Sequence, residues 1–198
     1  GSSVTDAGLT HLERLTNLYA LSLSKTKVTG SGLDRLESLS KLRTLDLSGT
    51  RVTDDGLDGL AKLPSLSSLN LSHTQVTDNV LPLLRCLPSL GRVDVSGTKM
   101  TIRGMAEVAQ QRPEVEVVFA GGSLRRETLD LDRGARDGLL SDFARARVFR
   151  TIRLSDSQVT DAGLAGLTGQ DKLEHLWIVN VPITDAGLAH LEGLTQLQ

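Results

Sequence analysis

The sequence predicts an α/β solenoid, short strands and short helices stacked turn on turn. Three observations predict it. Lines of 24 residues repeat through most of the chain. Within each line the leucine spacing changes from three to two. Only five aromatic residues stand among 198 (Tyr19, Phe119, Phe143, Phe149 and Trp177), so leucine carries the apolar load. A single irregular core would draw on more aromatics, because each buries a large area. One side-chain size used repeatedly suits a regular stack.

The lines start at Val4, Val28, Val52 and Val76, and the register returns at Val159 and Ile183. The first is "VTDAGLTHLERLTNLYALSLSKTK". Leu9, Leu12 and Leu15 recur every third residue, which places one apolar stripe on a short helix. Asp6, or Thr5 beside it, is the expected N-cap, accepting from free amides of the first turn. Leu21 and Leu23 then alternate with Ala20, Ser22 and Ser24, the period of a strand. The recurring "TDAGL" is therefore a structural helix start and not an active site, since a catalytic group gains nothing from being copied along every turn. Gly8, Gly32, Gly56, Gly104, Gly163 and Gly187 recur for close helix stacking.

The spacing L-x-x-L-x-L-x-x-T resembles the leucine-rich repeat family, with Thr26, Thr50, Thr74 and Thr98 where Asn or Cys is usual. Together with "TDAGL", the chain looks most like bacterial 24-residue repeats related to the cysteine-containing subclass. The resemblance implies parallel strands on a concave face, helices on a convex face, and threonine hydroxyls turned inward to bond the backbone of neighbouring turns. It also implies a protein-binding role, with partners held on the concave face.

Three segments are expected: repeats over 1–123 ending in a degenerate cap, an irregular and cap-like stretch over 124–158, and repeats over 159–198 with the last incomplete. "PEVEVVF" replaces the leucine strand, "ETLDLD" alternates like a strand, and residues 124–134 are an 11-residue excess over the period. From Asp137 a degenerate line places Leu140, Phe143, Phe149, Ile152 and Leu154 inward, its aromatics covering a bare end. Gly121–Ser123 resembles a joining linker, and the order 124–198 followed by 1–123 would read as a natural stack. "GSS" at Gly1–Ser3 reads in part as an expression scar, and no signal peptide is visible.

Formal charge −2 offers no argument for nucleic acid or a membrane surface, and no apolar run approaches the length of a bilayer span. Cys86 is alone. His11 and His190 share a repeat position, His73 falls in a turn and His175 on a strand, so no metal site is expected. Asp6, Asp54, Asp78, Asp161 and Asp185 are periodic and not a paired acid and base. No catalytic residue and no cofactor is expected.

What remains is surface. Most outward strand positions are small and polar; the exceptions are Arg92 and Asp94, and above all "EHLWIVNV", where His175, Trp177 and Val179 alternate with the inward Leu176 and Ile178. Trp177 is expected either to anchor a partner or to cover the end of the core. Arg145, Arg147, Arg150 and Arg153 form a second cluster, offset by Asp137, Asp142 and Asp156. The candidate binding residues are His175, Trp177, Val179, Arg92, Asp94 and Arg153. The chain is expected to be a non-enzymatic protein-interaction module that binds a partner through the concave face or the repeat edges. The alternative is an assembly module that associates with itself through exposed repeat ends.

Overall fold

The computed structural model describes residues 2–198. Gly1, which the sequence reading grouped with Ser2 and Ser3, lies outside them. The chain divides into two compact units, Gly1–Gly104 and Met105–Gln198.

In the first unit, four three-residue strands pair in parallel: β1 (Ala20–Ser22), β2 (Thr44–Asp46), β3 (Ser68–Asn70) and β4 (Arg92–Asp94). Each residue pairs with its equivalent one repeat on, as Leu21 with Leu45 and Leu45 with Leu69. The inward leucines of each line close the core, and Leu36, Leu39, Leu42, Leu45 and Leu47 are fully buried. At ~25 cal/mol per Å² of apolar area, such burial is the main source of stability.

The helical halves are tighter than α-helices. Asp6–Leu12, Leu33–Leu36 and Asp54–Lys62 are 3₁₀ segments, whereas Leu81–Cys86 in this unit's fourth line is α-helical. The leucine spacing of three suits this form, because a 3₁₀ helix repeats every three residues and holds i and i+3 in one row; Leu81 and Leu84 keep the same spacing on the α-helical segment.

After each strand the chain turns through a left-handed residue: Lys25 (φ 54°), Gly49 (φ 64°), His73 (φ 55°) and Gly97 (φ 67°) occupy the same repeat position. Asp46, Asn70 and Asp94 brace this turn, each accepting at 2.9 Å from the backbone amide two residues on. The threonines that follow are inward but bond differently from the expectation. Thr26, Thr50, Thr74 and Thr98 donate to the carbonyl three residues back in their own turn, at 2.6–2.7 Å. A hydroxyl sits on a short stem, and that carbonyl is the acceptor the left-handed turn brings within its reach.

The contact between turns falls to the aspartates. Of the two N-caps expected for the first helix, Asp6 or Thr5, the structure has Thr5; the Asp6 carboxylate instead accepts from the Thr29 amide (3.0 Å) and hydroxyl (2.9 Å), and from the amides of Gly30 and Gly32. Asp54 does the same to Thr77, and Asp78 to Thr101. The N-cap residue is the threonine at Thr5, Thr53 and Thr77 and Gly32 in the second line, and the Thr77 hydroxyl accepts from the Asn79 amide. Gly30 interrupts the series where an aspartate would stand, and its backbone lies directly against Gly56.

The second unit holds five strands: β5 (Glu116–Phe119), β6 (Gly122–Arg125), β7 (Thr128–Leu131), β8 (Thr151–Ser155) and β9 (His175–Val179). β5, β6 and β7 pair antiparallel, and β7, β8 and β9 parallel. The excess residues thus build an extra strand that doubles back. Gly121–Ser123, read as a linker, is instead the tight turn and opening of β6. Gly121 has φ 100°, and a side chain on Gly122 would strike the Asp130 carbonyl. Phe119, Phe143 and Phe149 are buried, with ring centroids 4.8 and 6.1 Å apart, and fill the core beneath this hairpin. The aspartate contact returns here, from Asp137 to Thr160 and from Asp161 to Thr184.

Candidate functional site

Alternation along the strands of the second unit turns one set of side chains inward and the other to solvent. Val117, Leu124, Leu129, Ile152 and Leu154 are buried. On the outward face, register lines the remaining residues into rows across the sheet. Ser123, Asp130, Arg153 and Trp177 form one row. Arg125, Thr128, Thr151 and His175 form the row beside it.

Three of the sequence-derived candidates share one strand. His175, Trp177 and Val179 are exposed on β9, Trp177 at 56% and Val179 at 54%. Arg153 stands directly beside Trp177 on β8. Leu176 and Ile178, expected to be buried, are half-buried, because among the described residues no strand pairs on the far side of β9. Arg92 and Asp94 stand on β4 of the other unit, where Asp94 braces its own turn through the Ser96 amide.

The arginine cluster resolves into separate pairs. Arg145 meets Asp142 at 2.9 Å. Arg150 lies between Glu127, at 2.7 Å, and Glu174. Arg153 reaches Asp130 at 3.2 Å. Asp137 and Asp156, expected to offset these charges, bond Thr160 and Asn180 instead. Exposed pairs of this kind contribute little to stability, but they orient each guanidinium.

Two residues of this surface escaped the sequence reading. Arg125 ends β6, and Arg126 (φ 55°) opens the two-residue turn into β7. With Glu116, Thr128, Asp130 and Arg153 they line a shallow depression on the outward face. The signal was the dipeptide Arg126–Glu127 between the alternating runs "GSLR" and "TLDL", the length of a two-residue hairpin loop.

Among the described residues no group of three or more His, Cys, Asp or Glu is placed to hold a metal ion, and no helix is long and apolar enough to cross a membrane. Cys86 is a free, exposed thiol. His73 lies in a turn, as expected.

A leucine-rich repeat family model matches residues 16–76. No curated protein matches the sequence. Among solved structures, an internalin (inlF) from Listeria monocytogenes is 19% identical with TM-score 0.47, over 96% of this chain and 49% of that one. An internalin C2 (inlC2) from the same species is 22% identical with TM-score 0.46, over 100% of this chain and 74% of that one. The actin-binding site 2 of leiomodin-1 is 15% identical with TM-score 0.47, over 60% and 80%. The chain thus spans about half the length of the first internalin. The 24-residue register between strands, the inward leucines of each line and the family match together identify the fold as an α/β leucine-rich-repeat solenoid.

Proposed function

We propose that this chain is a non-enzymatic protein-interaction module whose partner docks on the outward sheet face of the second unit. The observation that carries the reading is Trp177, a large aromatic left 56% exposed beside an oriented arginine on a regular strand. Core packing has no use for a tryptophan in that position, whereas Trp and Arg dominate binding hot spots. Leucine-rich repeat proteins generally serve as interaction modules. The 24-residue period and the "TDAGL" helix start support membership of the bacterial type related to the cysteine-containing subclass.

Selection of binders from a displayed random-peptide library tests the reading. Trp177→Ala is expected to weaken selected binders by ~2 kcal/mol or more while leaving the melting temperature nearly unchanged. A fall in melting temperature with unaltered binding would assign Trp177 to the fold and refute the proposal.

A second reading, stacking of repeat ends on other copies, draws on a different observation. The exposed large apolar side chains are Val4, Leu15 and Tyr19 in the first line, and Trp177, Val179 and Leu188 in the last two. The leucines of the last line are only partly open, since Leu191 and Leu197 are half-buried and Leu194 is buried. Light scattering decides it: a mass that rises with concentration and falls in Leu188→Glu supports stacking, and a constant monomer mass rules it out.

A further inference from the structure

The outward face of the second unit is not uniformly charged, and the unevenness has a direction. At the β8–β9 side, Arg150 is held by two carboxylates and Arg153 by one. At the hairpin side, Arg125 and Arg126 are exposed, and among the described residues neither has a carboxylate within ion-pair distance. Both line the same depression as Arg153. Two adjacent guanidiniums outside ion pairs, beside a third already oriented, leave the depression with more positive than negative groups even with Glu116 and Asp130 on its lining. Three strands away the same face ends in Trp177 and Val179, which lack an apolar cover.

Resting on the interaction reading above, we infer that the partner presents an acidic segment in extended form. Its aspartate or glutamate carboxylates meet Arg125 and Arg126, and an apolar side chain lies on Trp177. Guanidinium suits this ligand because its planar fork grips a carboxylate through two parallel bonds. The spacing follows from the sheet. With strands ~4.8 Å apart and a shift of one row, Arg125 and Trp177 stand roughly 15 Å apart. An extended chain rises ~3.3 Å per residue, so the acidic and apolar positions are about four or five residues apart. Thr128 and Thr151 lie between them, short side chains that let a backbone cross the face.

Trp177 is the single tryptophan, so its fluorescence reports binding directly. The full chain is titrated with three synthetic peptides: an Asp-Asp pair five residues from a leucine, the same peptide with Asn-Asn, and one with the pair next to the leucine. The first is expected to shift the Trp177 emission and to bind about tenfold tighter than the other two, the equivalent of one charge-assisted hydrogen bond. Arg125→Glu with Arg126→Glu is expected to abolish that preference and to favour a Lys-Lys peptide, with an unchanged melting temperature. Arg145→Glu, a reversal at the pair with Asp142, is expected to leave binding unaltered. Equal affinity for the Asp and Asn peptides, with Trp177 still responding, overturns the acidic segment and leaves the interaction reading standing. Silence of Trp177 toward all three overturns the acidic segment as well. Failure of the peptide library to yield any Trp177-dependent binder then refutes the interaction reading separately.

Discussion

Thr50 and Thr74 are 5% and 1% exposed, and each hydroxyl donates at 2.6 Å to the carbonyl three residues back. The same carbonyl also accepts the threonine's own amide, at 3.3 Å in both turns. Replacing the hydroxyl by a methyl therefore weakens a doubly bonded acceptor without orphaning it. Thr74→Val is expected to cost about 1 kcal/mol, read from the denaturant midpoint, and an unchanged midpoint would contradict it. The glycines of "TDAGL" give a sharper contrast. A Cβ on Gly187 would run into the Asp161 carboxylate, and one on Gly163 would come within 2.5 Å of the Asp137 oxygen. On Gly8 it would meet nothing nearer than Val4, at 3.7 Å. Gly163→Ala is expected to destabilise by roughly 1–3 kcal/mol, and Gly8→Ala by less than about 0.5 kcal/mol. The sequence reading attributed these glycines to helix stacking; the neighbour that Gly104, Gly163 and Gly187 make room for is a carboxylate, whereas Gly32 and Gly56 make room for the backbone of the preceding turn.

At the scale of the element, the aspartate contact has a pH dependence. Burial acts to raise the Asp6 pKa, but the amide and hydroxyl of Thr29 and the amides of Gly30 and Gly32 together outweigh it, and the carboxyl sits below its ordinary value. For Asp161 the Thr184 hydroxyl and then its amide act in the same direction. A group whose folded-state pKa is lowered stabilises fully above its unfolded value, about 3.9. That contribution disappears as pH falls through the lower folded value. Stability is therefore expected to decline below about pH 4, and Asp6→Asn to flatten the decline. Parallel pH curves for variant and parent would count against this role. Much at this scale was legible in sequence: β1, β2 and β3 fall on the alternating leucines, β4 on Val93 in the equivalent place, and β7 on "ETLDLD". Strand direction was not legible, because alternation is the same whichever way a strand runs. The reversal at β6 hid for that reason, and with it Arg125 and Arg126, whereas Trp177 and Arg153 stood out by residue type on a repeating background.

At the scale of the whole molecule, each of the two units is built of turns that touch their neighbours, and each gains stability turn by turn. Protection should therefore be graded. Leu45 and Leu69 are 0% and 1% exposed, while Leu21, Leu176 and Ile178 are half-buried. Native-state hydrogen exchange is expected to be slowest for amides such as Leu47, which donates to Asn70, and faster across β1 and β9. Uniform exchange at all strands would mean that each unit opens as one block.

The aspartate of one turn and the threonine of the next make each 24-residue module two-sided, with an acceptor facing forward and a donor facing back. A gene that lengthens by duplicating such a module delivers both halves of every new contact in the same event. No second mutation is needed to join the copy to its template. The turn that carries Gly30 is the exception, since it receives a carboxylate from Asp6 but offers none onward. Its copies would stack through bare backbone, so growth of the array is favoured at the turns beginning with Val52 and Val76 and disfavoured at the one before them.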